Sequence, residues 1–142
     1  VFLLSLALIA LVLFIFAPQV VKIIAPGFNS QQIQLTVLLT KILLLSPILL
    51  GLSSIFSGIL QYFNKFLFYS LAPIMYNLGI ISGIMFLAPY SGIAGVVGGV
   101  VIGALLHFLI QVPGATRSGF SYRLILDLKD EKIKRSLDVL II

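Results

Sequence analysis

The 142-residue chain has no cysteine, one histidine and four carboxylates, and only 9% of its residues are charged. Without cysteine there is no disulfide framework and no thiolate for zinc or redox chemistry. One histidine and four acids leave little material for a metal site or an acid–base pair. No Ser-His-Asp arrangement, phosphate-binding loop or carboxylate pair is present, so enzyme chemistry has no support and no cofactor is implied. A soluble globular domain carries about 25% charged residues. With 61% hydrophobic residues and a mean hydropathy of +1.23, this chain cannot cover a surface that faces water. It belongs to the integral membrane class.

What the chain does have is long apolar runs. A membrane helix needs about 20 mostly apolar residues. Spans are predicted at residues 1–24, 35–60, 67–87 and 93–112, and a further run begins at 137. Pro18 kinks or ends the first, with Lys22 snorkelling to the boundary. Ala25-Pro26-Gly27-Phe28-Asn29-Ser30 is a turn by its Pro-Gly pair. The polar hinge at 61–65 joins the second span to the third, and residues 88–92 make a tight link to the fourth. Strands are excluded, because the runs do not alternate at period two and are too long. The expected fold is all-α: a polytopic bundle forming one partial transmembrane domain over 1–142. No charged region precedes residues 1–17 and no cleavage site follows them, so they are not read as a signal peptide. The expectation is an internal piece of a longer polytopic protein.

Charge sets the orientation. The hinge near Asn64 and the segment after Val112 share one side, which holds Lys65, Arg117, Arg123, Lys129, Lys132, Lys134 and Arg135. The turn at 26–31 and the link at 88–92 share the other, which holds Lys22. Cytoplasmic loops carry the excess of lysine and arginine, so the hinge and residues 113–136 are predicted cytoplasmic and the turn extracytoplasmic. Six cations and three carboxylates between 113 and 135 leave a net +3, beside a membrane segment. That bias reports topology, not nucleic acid. Leu124, Ile125, Leu128 and Ile133 among those charges suggest an amphipathic helix in the interface. It serves as an orientation signal and anchor, with binding to anionic headgroups as the functional alternative.

Few residues within the spans can carry chemistry. Gly95, Gly99 and Gly103 repeat every four residues and form a flat face where another helix can approach closely. The functional variant is a face on which bundles slide during transport. Lys41 lies inside the second span. It either faces a cavity, where it suits an anionic group such as phosphate, or snorkels to the nearby outer boundary. Asn77, between Pro73 and Gly79, is expected to bond across to another helix, with a substrate role as the lesser alternative. Pro73 marks a bend. His107, one turn before Gln111, reads more as a satisfied side chain than as a proton relay. Gln61 and Asn64 are expected to cap the helices on either side of the hinge.

At Ala25-Pro26-Gly27-Phe28 the chain resembles the outward turn of the MurJ (MviN) family of lipid II flippases. Leu39-Thr40-Lys41-Ile42 leading to Ser46-Pro47 adds to the resemblance. Gly58-Ile59-Leu60-Gln61 with Asn64 and Phe66, then Ala72-Pro73 with Tyr76-Asn77, is similar to that family's fourth-to-fifth helix hairpin. The glycines from 92 to 103, with Gln111-Val112-Pro113, resemble its sixth helix, and 132–137 the basic approach to its seventh. The resemblance implies helices three to six, plus the start of seven, of a bundle with two six-helix lobes around a central cavity. It implies a multi-pass protein of the bacterial cytoplasmic membrane that moves lipid II, an undecaprenyl-pyrophosphate-linked precursor, by alternating access. Implied partners are lipid II, membrane lipids and the remaining helices of the same polypeptide, with no nucleic acid. Of the family's path positions only Lys41 and Asn77 carry over. The rival readings are another exporter of the same multidrug, oligosaccharidyl-lipid and polysaccharide superfamily, or a non-transporting membrane scaffold.

Overall fold

The computed structural model describes residues 2–117, and the basic segment after Arg117 and the apolar run from 137 lie outside it. The described chain runs α1 (Phe2–Ile24), α2 (Ser30–Leu43), α3 (Leu45–Tyr62), α4 (Phe66–Ser82), a π-helical turn (Gly83–Leu87), α5 (Ala88–Ser91), α6 (Ile93–Leu109) and α7 (Val112–Arg117). There is no strand among the described residues. Taken through their minor breaks, four helices are long and apolar enough to cross a membrane: Leu3–Ile24, Ser30–Tyr62, Phe66–Ser91 and Ile93–Arg117.

Proline explains most of the breaks. It has no N–H, so it withholds a donor from the carbonyl four residues earlier and crowds it. Pro47 acts on Leu43, where α2 ends, and the chain bends through Leu44 into α3. Pro113 acts on Leu109, where α6 ends. Pro89 follows a widened turn in which the Ala88 N–H reaches back to the Gly83 carbonyl. Pro18 and Pro73 leave α1 and α4 continuous. So the predicted second span is two helices, and the predicted link at 88–92 is helical through Ser91. The reversal falls on Gly92 alone, at φ +59° and ψ −136°, a conformation open to glycine.

The second span also starts earlier than its apolar run. Asn29 and Gln32 form a capping box, each side chain accepting the other's backbone N–H at 2.9 Å. Two orphan donors of the first turn are thereby satisfied, and the polar Gln31, Gln32 and Gln34 become helical.

The centre is α6, which touches α2, α3, α4, α5 and α7. Its glycine face meets the backbone of the preceding helix. A Cβ on Gly79 would strike Gly103, and one on Gly99 would come within 2.7 Å of the Gly83 Cα. Gly95 lies against the backbone of Leu87 and Ala88. Small residues at the contact let the backbones approach and maximise dispersion, which drives helix association where lipid removes the hydrophobic term. α1, by contrast, packs mainly on α2 and α3 among the described residues and is exposed along most of its length.

Candidate functional site

Lys41 is carried by α2 and reaches across to α1. Its Nζ stands 4.6 Å from the centroid of the Phe14 ring. Phe14 lies ten residues before the end of α1 at Ile24, about 15 Å along the helix axis. The ammonium is thus directed at the α1 surface, within the seam between α1 and α2. A lysine at mid-helix costs about 2.5–3.5 kcal/mol to insert, and a cation–π contact returns about 0.5–2. All four carboxylates of the sequence lie beyond Arg117, at Asp127, Asp130, Glu131 and Asp138, so none is available among the described residues.

Two open grooves meet at Lys41. The first, about 370 Å³, is walled by Ala7, Ala10, Leu11, Phe14 and Ile48. The second, about 490 Å³, is walled by Pro18, Lys22, Ser30, Gln34 and Val37. Pro18 also withholds the amide that would bond the Phe14 carbonyl, which adds a polar group at this level. The seam thus joins an aliphatic trough to a polar one, with a cation at the junction.

A second constellation ties α3 to α6. Gln111 and Ser53 are wholly buried. The Gln111 Nε2 donates to Ser53 Oγ at 2.6 Å and to the His107 carbonyl at 3.1 Å, while its Oε1 accepts from Ser57 at 2.8 Å. Ser53 Oγ lies 2.7 Å from His107 Nδ1 and 3.3 Å from the His107 carbonyl. Ser53 Oγ thus stands between the Gln111 amide and the imidazole, within hydrogen-bond distance of both. Tyr76 of α4 packs edge-on against the same imidazole, with centroids 6.3 Å apart. This cluster is a satisfied clamp. The signal for it was a pair of polar residues four apart on each helix, Ser53 with Ser57 and His107 with Gln111, a spacing that puts each pair on one face.

The remaining predicted residues are placed as follows. Asn77 is exposed, and its Nδ2 donates to the Pro73 carbonyl at 2.9 Å on its own helix. Among the described residues the expected bond to another helix is not formed, because its position on α4 points away from the α6 contact. Asn64 stops α3 with its backbone, not its side chain. At φ +53° it is left-handed, and the Asn64 and Lys65 amides donate to the carbonyls of Gln61 and Leu60 at 3.0 and 2.8 Å. That is a Schellman closure. Gln61 contributes only its carbonyl, and α4 begins without a side-chain cap. Beyond Pro113 the chain is not a surface segment at once: Gly114 and Ala115 of α7 are buried, Gly114 against Phe68 and Leu60.

Comparison with known proteins places this architecture. Residues 1–142 match the family described as "Lipid II flippase MurJ". A lipid II flippase MurJ of Burkholderia cenocepacia is 30% identical over 114 residues, covering 78% of this chain and 22% of the relative. A probable lipid II flippase MurJ of Borreliella burgdorferi is 33% identical over 119 residues, covering 84% and 23%. One of Rickettsia prowazekii is 26% identical over 140 residues, covering 95% and 28%. The chain therefore spans about a quarter of the length of these relatives. No solved structure gives a significant match. Four apolar membrane-length helices and a match that covers every residue lead to one conclusion: this chain belongs to the MurJ lipid II flippase family.

Proposed function

We propose that the protein containing this chain carries lipid II from the cytoplasmic to the outer leaflet of the bacterial inner membrane by alternating access. The match of the whole chain to a flippase family is the observation that carries this reading. In it, the hinge at Asn64 and the basic segment 113–136 face the cytoplasm, and the turn at 26–31 faces outward, as the charge bias directs. The clamped unit of α3, α4 and α6 forms part of one lobe's wall and moves as a block. Lys41 meets the pyrophosphate, an anion that would supply the missing counter-charge. Asn77, exposed and with Oδ1 unpartnered among the described residues, is the second path residue and suits a sugar hydroxyl.

The test is complementation. A strain depleted of its own flippase and given the full-length gene should keep its shape and grow. Continued lysis while the protein accumulates in the membrane would sink the reading. Asn77→Ala should lower rescue partially, and Lys41→Gln more severely, at unchanged expression.

A further inference from the structure

We infer that the π-helical turn at Gly83–Leu87 is a one-residue register correction that locks the Gly92 end of the α4–α6 hairpin. The inference goes beyond the flippase reading and rests on packing; only the last arm of its test draws on transport.

The spacing of small residues is the starting point. On α6, Gly95, Gly99 and Gly103 recur every four residues. An antiparallel α-helix packed on that face needs small residues at 79, 83 and 87. Gly79 meets Gly103 and Gly83 meets Gly99, but position 87 is leucine. The next small residue, Ala88, comes one position late. A π turn closes on the fifth residue instead of the fourth, and so takes in one extra. The Ala88 N–H donates to the Gly83 carbonyl across the turn. A Cβ on Gly95 would lie 2.7 Å from the Ala88 Cα. The series of facing pairs thus continues with 88 against 95.

Leu87 is turned aside. Its Cδ1 would stand 3.5 Å from a Cβ on Gly98, beside the glycine face. Ile84, Met85 and Phe86 are exposed, so the extra residue is taken up on the side away from α6. Pro89 withholds a donor from the Met85 carbonyl, which makes this the stretch where a break in α-geometry costs least.

π-Helical turns often stand at functional sites, and a hinge is the other role open to this one. It is, however, fastened on both flanks. Gly83 is held on Gly99 and Ala88 against Gly95. Ser91 Oγ donates to the Leu87 carbonyl at 2.8 Å, and the Gly92 N–H donates to the Ala88 carbonyl at 2.8 Å. From Gly92 the chain enters α6 directly. An irregularity held at both ends sets a register and does not flex.

The test is a pair of one-residue deletions in the full-length protein, read by thermal unfolding in detergent. Deleting Met85 leaves Gly83 and Ala88 four apart, so an unbroken α-helix makes the same contact. Its melting temperature should stay within about 3 °C of the parent. Deleting Ile81, also exposed, leaves Gly79 and Gly83 three apart. It should lower the melting temperature by about 10 °C or abolish folding. Similar results for the two deletions would overturn the inference. Substitutions give a second reading at unchanged chain length: Ala88→Leu should lower the melting temperature more than Leu87→Ala. The reverse order would put Leu87 against Gly95 and overturn it as well. Complementation then separates lock from hinge. The Met85 deletion should rescue a depleted strain as well as the parent gene does. Rescue lost at a normal melting temperature would make the turn a moving part and overturn the lock. A parent gene that fails to rescue removes the flippase reading, while the thermal comparison still decides the register.

Discussion

Gln111 donates to Ser53 at 2.6 Å across the α3–α6 contact, and neither side chain has any exposed surface. The bond joins the link that Pro113 creates at the end of α6 to the middle of α3. Each side chain is also tied to His107, so the pair sits inside a wider network. Gln111→Ala in the full-length protein should lower stability by about 2 kcal/mol, since it removes the acceptor of Ser57, one partner of Ser53 and a filled, buried volume. The double variant with Ser53→Ala should lose less than the sum of the singles. Thermal unfolding in detergent measures both, and strict additivity would show that the pair does not act as a unit.

The glycine face makes a sharper prediction, because it has internal controls. Gly103→Ala and Gly83→Ala must push backbones apart, and each should destabilise by about 1–3 kcal/mol. Gly58 lies on a helix with nothing within 4 Å of an added Cβ. Gly58→Ala should therefore be neutral or stabilising by up to about 1 kcal/mol, through helix propensity alone. Similar losses at Gly58 and Gly103 would mean that α4 and α6 are not in the contact described.

Asn64 adopts a left-handed conformation that costs an ordinary side chain about 1–2 kcal/mol. Asn64→Gly should match or exceed the parent in melting temperature, and Asn64→Val should fall clearly below it. If the asparagine amide mattered more than its backbone, the glycine variant would be the worse of the two.

Ser46 is buried, and its Oγ is the one buried side-chain polar atom without a hydrogen-bond partner among the described residues. Removing such a hydroxyl relieves a desolvation cost, so Ser46→Ala should raise stability by about 1 kcal/mol. A fall instead would identify a partner supplied by another part of the polypeptide.

Much of the architecture is legible in the sequence. Composition alone assigns the membrane class, since 9% charge cannot solvate a surface. Run lengths give the four spans; a proline four residues on accompanies the breaks at Leu43 and Leu109, whereas Pro18 and Pro73 leave their helices unbroken. The capping box at Asn29 and Gln32 was equally available as a local pattern. These features depend on covalent geometry and near-neighbour hydrogen bonds, which every copy of the sequence carries.

The partners of the polar side chains were decided by tertiary structure. Asn77 and Gln111 are both amides on membrane helices. One bonds back to Pro73 on its own helix, and the other bonds across to Ser53. Helical periodicity assigns each residue to a face, but it does not say which neighbour that face meets. The same holds for Lys41. Its spacing along α2 left more than one surrounding within reach, and only the packing of α1 beside it set the ammonium over Phe14. Local sequence determined what each helix could offer; the docking of one helix on another determined which offers were taken up.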